Sequence, residues 1–304
     1  MRKLFLIALA FTVLCFSVSA ALVLKNPKRS FPDSVLRELS RKVSPVSQLR
    51  KLVRTFDVGT VTHLKIKARD VNVVVKRSNA SQSELRVEVE GRFANDSKEP
   101  LRVMDETEVL EIRVEENLRR RAWLSSFSGA LDGNRMLLEV PSNFSGKLSI
   151  ENDSGMTEIS ITALSELDWE SVSGSLSVVG SEIFTARLSS VSGSVDYAAV
   201  TSDLTVSLTS GDGDFKLLGL DRLLSARADV STISGNLSLS LAKSASVRLM
   251  ISSMTGLAKS PNEIALKKSK ELGSGQALEG VLGSGANEIR LRSVSGNSEV
   301  RMID

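Results

Sequence analysis

The chain is poor in the residues that carry most side-chain chemistry. Its 304 residues include one Cys, one His, one Tyr and two Trp, and aromatics make up 4%. One Cys and one His exclude a zinc cluster, a disulfide framework and most His-based catalysis. Scarce flat rings argue against an aromatic-lined groove for sugars or nucleic acid, since such sites use rings as stacking platforms. Catalytic motifs are missing as well. There is no Gly-x-Ser-x-Gly elbow. Ser240-Leu241-Ala242-Lys243 matches Ser-x-x-Lys, but it follows an alternating strand-like run and lacks its Lys-Thr-Gly and Ser-Asp-Asn companions. Gly273-Ser274-Gly275 lacks the third Gly and the Lys of a phosphate loop. Asp212-Gly213-Asp214 reads as a plain turn, because calcium needs six to eight oxygens. No cofactor or metal ligand set is expected, and no catalytic residue is assigned.

What is present begins with an export signal. Met1-Arg2-Lys3 is a positive start, Leu4 to Val18 is almost continuously apolar, and Val18-Ser19-Ala20 supplies a cleavage site. Residues 1–20 are therefore expected to be a signal peptide. A retained anchor stays open, because Leu4 to Leu24 is just long enough to span a bilayer. Cleavage would remove Arg2 and Lys3, leaving 37 of the 39 basic residues against 36 acidic ones. The pI near 9.0 then gives no reason to expect a nucleic-acid partner. Arg119-Arg120-Arg121 and Lys267-Lys268 read as solvated surface. Residues 21–52, punctuated by Pro27, Pro32 and Pro45, read as a spacer with a short helix carrying Val35, Leu36, Leu39 and Val43.

Beyond the spacer the period changes to two. Leu64, Ile66 and Ala68 alternate with His63, Lys65 and Lys67, and Val71 to Lys76, Glu84 to Glu90 and Val109 to Glu115 read the same way. These are half-buried strands, with His63 on the charged, exposed face. The second half then repeats. A Ser-Gly or Thr-Gly pair recurs with glycine at Gly155, Gly174, Gly193, Gly211, Gly235, Gly256, Gly275 and Gly296, at intervals of 19, 19, 18, 24, 21, 19 and 21. A period near twenty marks a solenoid with one coil per repeat.

The residues around each Gly repeat too. Two before it stand Val172, Val191, Thr209, Ile233, Met254 and Val294, and four after it Ile159, Val178, Tyr197, Phe215, Leu239 and Val300. The pattern predicts strand, corner, strand, with both apolar positions on the inner face and each Gly a structural turn at positive φ. Corner serines are expected to bond the local backbone and to stack from coil to coil. Eight corners spaced at about 4.8 Å predict a stack of roughly 35 Å. The expected fold is all-β over 53–304: antiparallel strands, then a β-solenoid with about two strands per coil. The interval of 24 predicts a widened coil or a loop.

Glu170-Ser171-Val172-Ser173-Gly174, Ser189-Ser190-Val191-Ser192-Gly193, and Gly283-Ser284-Gly285 followed by Ile289 to Gly296 resemble the bacterial putative-adhesin family of unknown function, also called toastrack-like. The resemblance spans about residues 53 to 304. It implies an exported or envelope-facing β-solenoid domain and carries no catalytic residues. Three functions follow as expectations. One is a non-catalytic scaffold of the periplasm, envelope or cell surface that binds a protein or envelope polymer. The second is an envelope-stress or signalling accessory, and the third, which tight corners and few aromatics disfavour, is a polysaccharide-active enzyme. Unpaired edges at the solenoid ends also leave homo-oligomers open.

Overall fold

The computed structural model describes residues 48–78, 83–93, 101–114, 134–161, 163–272 and 274–303. The signal peptide and cleavage site, the spacer helix and Arg119 to Arg121 lie outside these residues. Among the described residues all regular structure is β, and no helix is long and apolar enough to cross a membrane. Residues 48–52, assigned above to the spacer, are the first half of strand β1 (Gln48–Asp57).

Two ladders of strands enclose one core. Sheet A runs in spatial order through β5 (Leu101–Glu106), β6 (Val109–Val114), β2 (His63–Ala68), β8 (Lys147–Asn152) and β10 (Ala163–Ser171). It continues through the second halves of β11 (Ser175–Ser192) and β12 (Val195–Ser210), then β14 (Arg227–Ser234), β20 (Asn287–Ser295) and β16 (Val247–Ser253). An antiparallel hairpin of β19 (Gly275–Leu282) and β18 (Ala265–Leu272) closes it. Sheet B runs through β1, β4 (Glu84–Phe93), β7 (Asn134–Val140), β3 (Val71–Arg77), β9 (Met156–Ser160) and the first halves of β11 and β12. It ends with β13 (Gly213–Leu218), β15 (Leu237–Ala242), β21 (Ser298–Ile303) and the two-residue β17 (Ala258–Lys259). The solenoid pairings are parallel; antiparallel strands flank both sheets at one end and sheet A at the other.

Alternation decides which side chains enter the core. From sheet A, Leu64, Leu148, Leu167, Leu204 and Ile289 form one buried row, and Ile66, Ile150, Trp169, Leu188, Val206 and Leu291 the next. From sheet B, Ile159, Val178, Tyr197, Phe215, Leu239 and Val300 stack in register, as the apolar positions after each Gly foretold. The large rings are thus core. The Trp169 indole N–H donates to Thr157 Oγ1 at 3.3 Å, and the Tyr197 hydroxyl pairs with Thr201 at 2.5 Å. Burial raises the Tyr197 pKa far above the usual phenol range.

Sequence order and spatial order part company at both ends. The first coil, β2–β3, lies between β6–β7 and β8–β9. The last coil, β20–β21, inserts between β14–β15 and β16–β17. Side chains explain the second insertion. Arg292 donates to both Asp229 carboxylate oxygens at 2.6 and 2.7 Å, and the Asn297 backbone N–H donates to Asn236 Oδ1 at 3.1 Å. The long interval is the loop from Gly219 to Ala226 between β13 and β14. Buried Asn287 closes it, accepting from the Ala226 N–H at 2.7 Å and donating to the Leu220 and Ser246 carbonyls at 2.8 and 2.9 Å.

Three expectations about the corners need correction. Gly275 is no corner: it opens β19 at the end hairpin. Positive φ occurs at Gly155, Gly235 and Gly296, whereas Gly174, Gly193, Gly211 and Gly256 lie outside the left-handed region. Close stacking excludes a side chain in the corner column instead. A Cβ on Gly193, Gly211, Gly235 or Gly296 would stand about 2 Å from the carbonyl oxygen of the Gly one coil away. Finally, the residues two before each Gly point outward. Val172, Val191, Ile233, Val294 and Met254 are 44–59% exposed, because strand alternation continues up to the corner and gives the inward position to the residue before, as at buried Ser190, Thr232, Ser253 and Ser293.

Candidate interaction surface

Outward-facing positions of sheet A make a flat face of in-register rows. One row reads Lys65, Ser149, Asp168, Arg187, Thr205, Asp229, Arg290; its neighbour reads Lys67, Glu151, Glu170, Ser189, Ser207, Ser231, Arg292. Strands about 4.8 Å apart bring consecutive members within reach of one another. Lys147 bridges Glu166 at 3.2 Å and Asp168, and Arg187 meets the same two carboxylates from the next coil. Glu151 accepts from Lys65 and Lys67, each at 2.9 Å. Half-exposed pairs of this kind contribute about 0–1 kcal/mol each to stability. Their larger effect is to hold charges at fixed spacing.

Electrostatics within the patch follow from these contacts. Hydrogen bonding to Asp168 and Glu166 raises the Lys147 pKa against the cost of burial. Burial pushes the Glu151 carboxyl upward, but its lysine partners outweigh it and the net direction is down. His63 is half-buried rather than exposed, with Nε2 2.9 Å from Ser149 Oγ. Burial, then Lys147 and Lys65, lower its pKa despite Asp168 and Glu166. The patch forms a shallow depression of about 480 Å3 between His63 and Ser207.

The other sequence candidates fall elsewhere. Asp212 lies at a corner, where its Oδ1 accepts from the Asn236 backbone N–H at 2.7 Å. Asn236 and Asn297 repeat this contact toward Asn297 and Leu257 at 3.1 and 3.0 Å, making a polar ladder one residue beyond the glycines. Asp214 points outward from β13 beside Asp196 of β12. Among the described residues no group of three or more His, Cys, Asp or Glu could hold a metal. Ser240, Leu241 and Ala242 lie in strand β15, not in a helix. Lys267 and Lys268 lie in β18.

The hydroxyls that bond the corners are not those beside the glycines alone. Ser171 Oγ accepts from the Gly174 N–H at 2.7 Å, and Ser194 Oγ donates to Ser175 Oγ at 3.1 Å. Sequence reading also passed over the charge rows. They were findable: six residues before Gly155, Gly174, Gly193, Gly211, Gly235 and Gly296 stand Ser149, Asp168, Arg187, Thr205, Asp229 and Arg290.

The family model described as Toastrack DUF4097 matches residues 61–301. No curated protein matches the chain. Among solved structures, one described as a putative cell adhesion protein from Clostridium sporogenes is 8% identical, with a TM-score of 0.34, covering 84% of this chain and 100% of that one. A putative adhesin from Bacteroides fragilis is 12% identical (TM-score 0.34; 84% and 99% covered). Another from Parabacteroides merdae is 7% identical (TM-score 0.36; 83% and 96% covered).

Proposed function

The chain belongs to the Toastrack DUF4097 family, and from that premise we propose that it is an exported, non-catalytic scaffold of the cell envelope or surface. Its outer face binds a protein or an envelope polymer. The observation that carries this reading is the row from Lys65 to Arg290, in which charge of alternating sign and hydroxyls repeat at strand spacing across consecutive coils. A periodic polymer or an extended protein presents groups at a comparable repeat, so several weak contacts can form in register. The exposed ridge of Val172, Val191, Ile233, Val294 and Met254 borders this face and adds apolar area beside the charge.

The test passes the purified protein over immobilised envelope glycans of neutral and anionic type and follows both retention and polymer length. Retention that falls at least tenfold in Lys147→Glu/Arg187→Glu, with polymer length unchanged, is the expected result. Shortened polymer, lost on changing Asp212 or Asp214, would replace the scaffold with an enzyme.

A further inference from the structure

The two sheets do not end together. Beyond β16, sheet A continues through β19 and β18, while among the described residues sheet B has beyond β21 only Ala258 and Lys259 of β17. Parity along β21 shows what this leaves open. The Ser298 N–H donates to the Leu257 carbonyl on the β17 side at 2.9 Å, and the Ile303 carbonyl accepts from Lys243 on the β15 side at 3.3 Å. Alternate residues of a parallel strand bond to opposite neighbours. The N–H and C=O groups of Val300 and Met302 therefore point away from β15. Pro261 stands where the donor to the Val300 carbonyl would come, and proline has no N–H. Among the described residues no strand pairs with Met302 on that side.

Where β17 stops, the lane opens from a depression of about 560 Å3 lined by Lys259, Pro261, Leu278, Val300 and Arg301 among others. Leu278 and Leu282 of β19 pair with the inward-facing Ile251 and Val247, so they face the same interior; with Met302 they remain partly exposed. The Lys259↔Glu299 register uses the Val300 N–H on the Lys259 carbonyl, so the lane offers the Val300 carbonyl and both backbone groups of Met302 over an apolar floor, one strand wide. Its outer rim carries Lys259 and Arg301 against the single carboxylate of Glu299, which Arg301 holds at 3.0 Å.

We propose that the open lane beside Val300 to Ile303 is a strand-addition site for an extended partner segment with apolar side chains at alternate positions and an acidic residue beside Lys259 and Arg301. Backbone pairing supplies the affinity and the alternate pockets supply selectivity. A second copy of this chain fits less well. Among the described residues the edge strand at the opposite end of sheet B is β1, whose outward-facing Lys51 would add to the positive charge of Lys259 and Arg301. This site does not depend on binding at the outer face of sheet A.

The probe is a capped Val-Glu-Val-Thr-Val-Thr peptide, titrated into the protein with amide hydrogen exchange read at Met302. Saturable binding, with exchange at Met302 slowed at least tenfold, is expected. The same peptide N-methylated at alternate residues should bind at least tenfold more weakly, a control that leaves the protein unchanged. Leu278→Arg, at the solvent-facing end, should weaken binding similarly while Lys147→Glu does not. Equal binding of the N-methylated peptide, no change at Met302, or a dimer in light scattering that the peptide fails to dissociate would each overturn the assignment. Loss of glycan retention with peptide binding intact would remove the outer-face reading alone.

Discussion

The carbonyl oxygen of Gly193 lies 1.9 Å from where a Cβ on Gly211 would stand. Strand pairing fixes the distance between coils, so neither residue can retreat without breaking ladder bonds on both sides. The corner is therefore closed to any side chain.

Gly211→Ala should accordingly destabilise the protein by about 1–3 kcal/mol, the usual range for forcing extra volume into packed structure. Gly59→Ala is the matched control, because a Cβ there meets only Asp57 Oδ1 at 3.4 Å. Chemical denaturation of both variants checks the contrast. Equal midpoints would remove stacking as the reason for glycine.

Asn287 is 1% exposed and bonds three backbone groups, two in the loop from Gly219 to Ala226 and one at Ser246. Asn287→Ala takes this partner from the buried Ala226 N–H and Leu220 carbonyl, at about 1–3 kcal/mol each where water cannot reach them, while the Ser246 carbonyl keeps the backbone N–H of residue 287 at 3.0 Å. A loss of about 3 kcal/mol is expected, with hydrogen exchange accelerated first at Ala226. Asn287→Asp keeps the acceptor for Ala226 and should protect that amide better than Asn287→Ala.

Burial separates two isoleucines that stand at different positions of the repeat, five and two residues before the corner glycine. Ile150→Ala should cost about 2–5 kcal/mol, as for other deletions in a packed core. Ile233 is 55% exposed, and Ile233→Ala should cost under about 1 kcal/mol while reducing the binding of a fluorescent apolar dye. Similar losses at both sites would place the pre-glycine row inside the core after all.

His63 makes stability depend on pH in a definite direction. Its folded pKa lies below the ordinary value of 6.5, so the unfolded chain takes up its proton first as pH falls. The contribution from neutral His63 is fully present above pH 6.5. It declines as pH drops through that value toward the lower folded pKa. Thermal midpoints between pH 8 and pH 5 should fall more steeply for the wild type than for His63→Gln. Parallel curves would show that burial, Lys147 and Lys65 do not hold the ring neutral.

Much of this architecture is written in spacing. A period of two along His63 to Ala68 and a period near twenty among the glycines are enough to specify strands, corners and a stacked core, because both follow from backbone geometry that every coil shares. The row from Ile159 to Val300 was legible for the same reason. Spacing cannot say which coil sits beside which, since any coil presents the same edges. Arg292 reaching Asp229 and Asn297 pairing with Asn236 settle that β20–β21 lies against β14–β15, and such contacts exist only after the chain has folded back. Counting by twos from Trp169 and Leu188 already turns Val172 and Val191 outward; only their apolar character argued for the core, and the structure follows the alternation. The open lane at Val300 to Ile303 is a tertiary fact. It arises because β17 stops at Lys259 while the hairpin opposite continues, and no property of either segment alone reveals the difference in length.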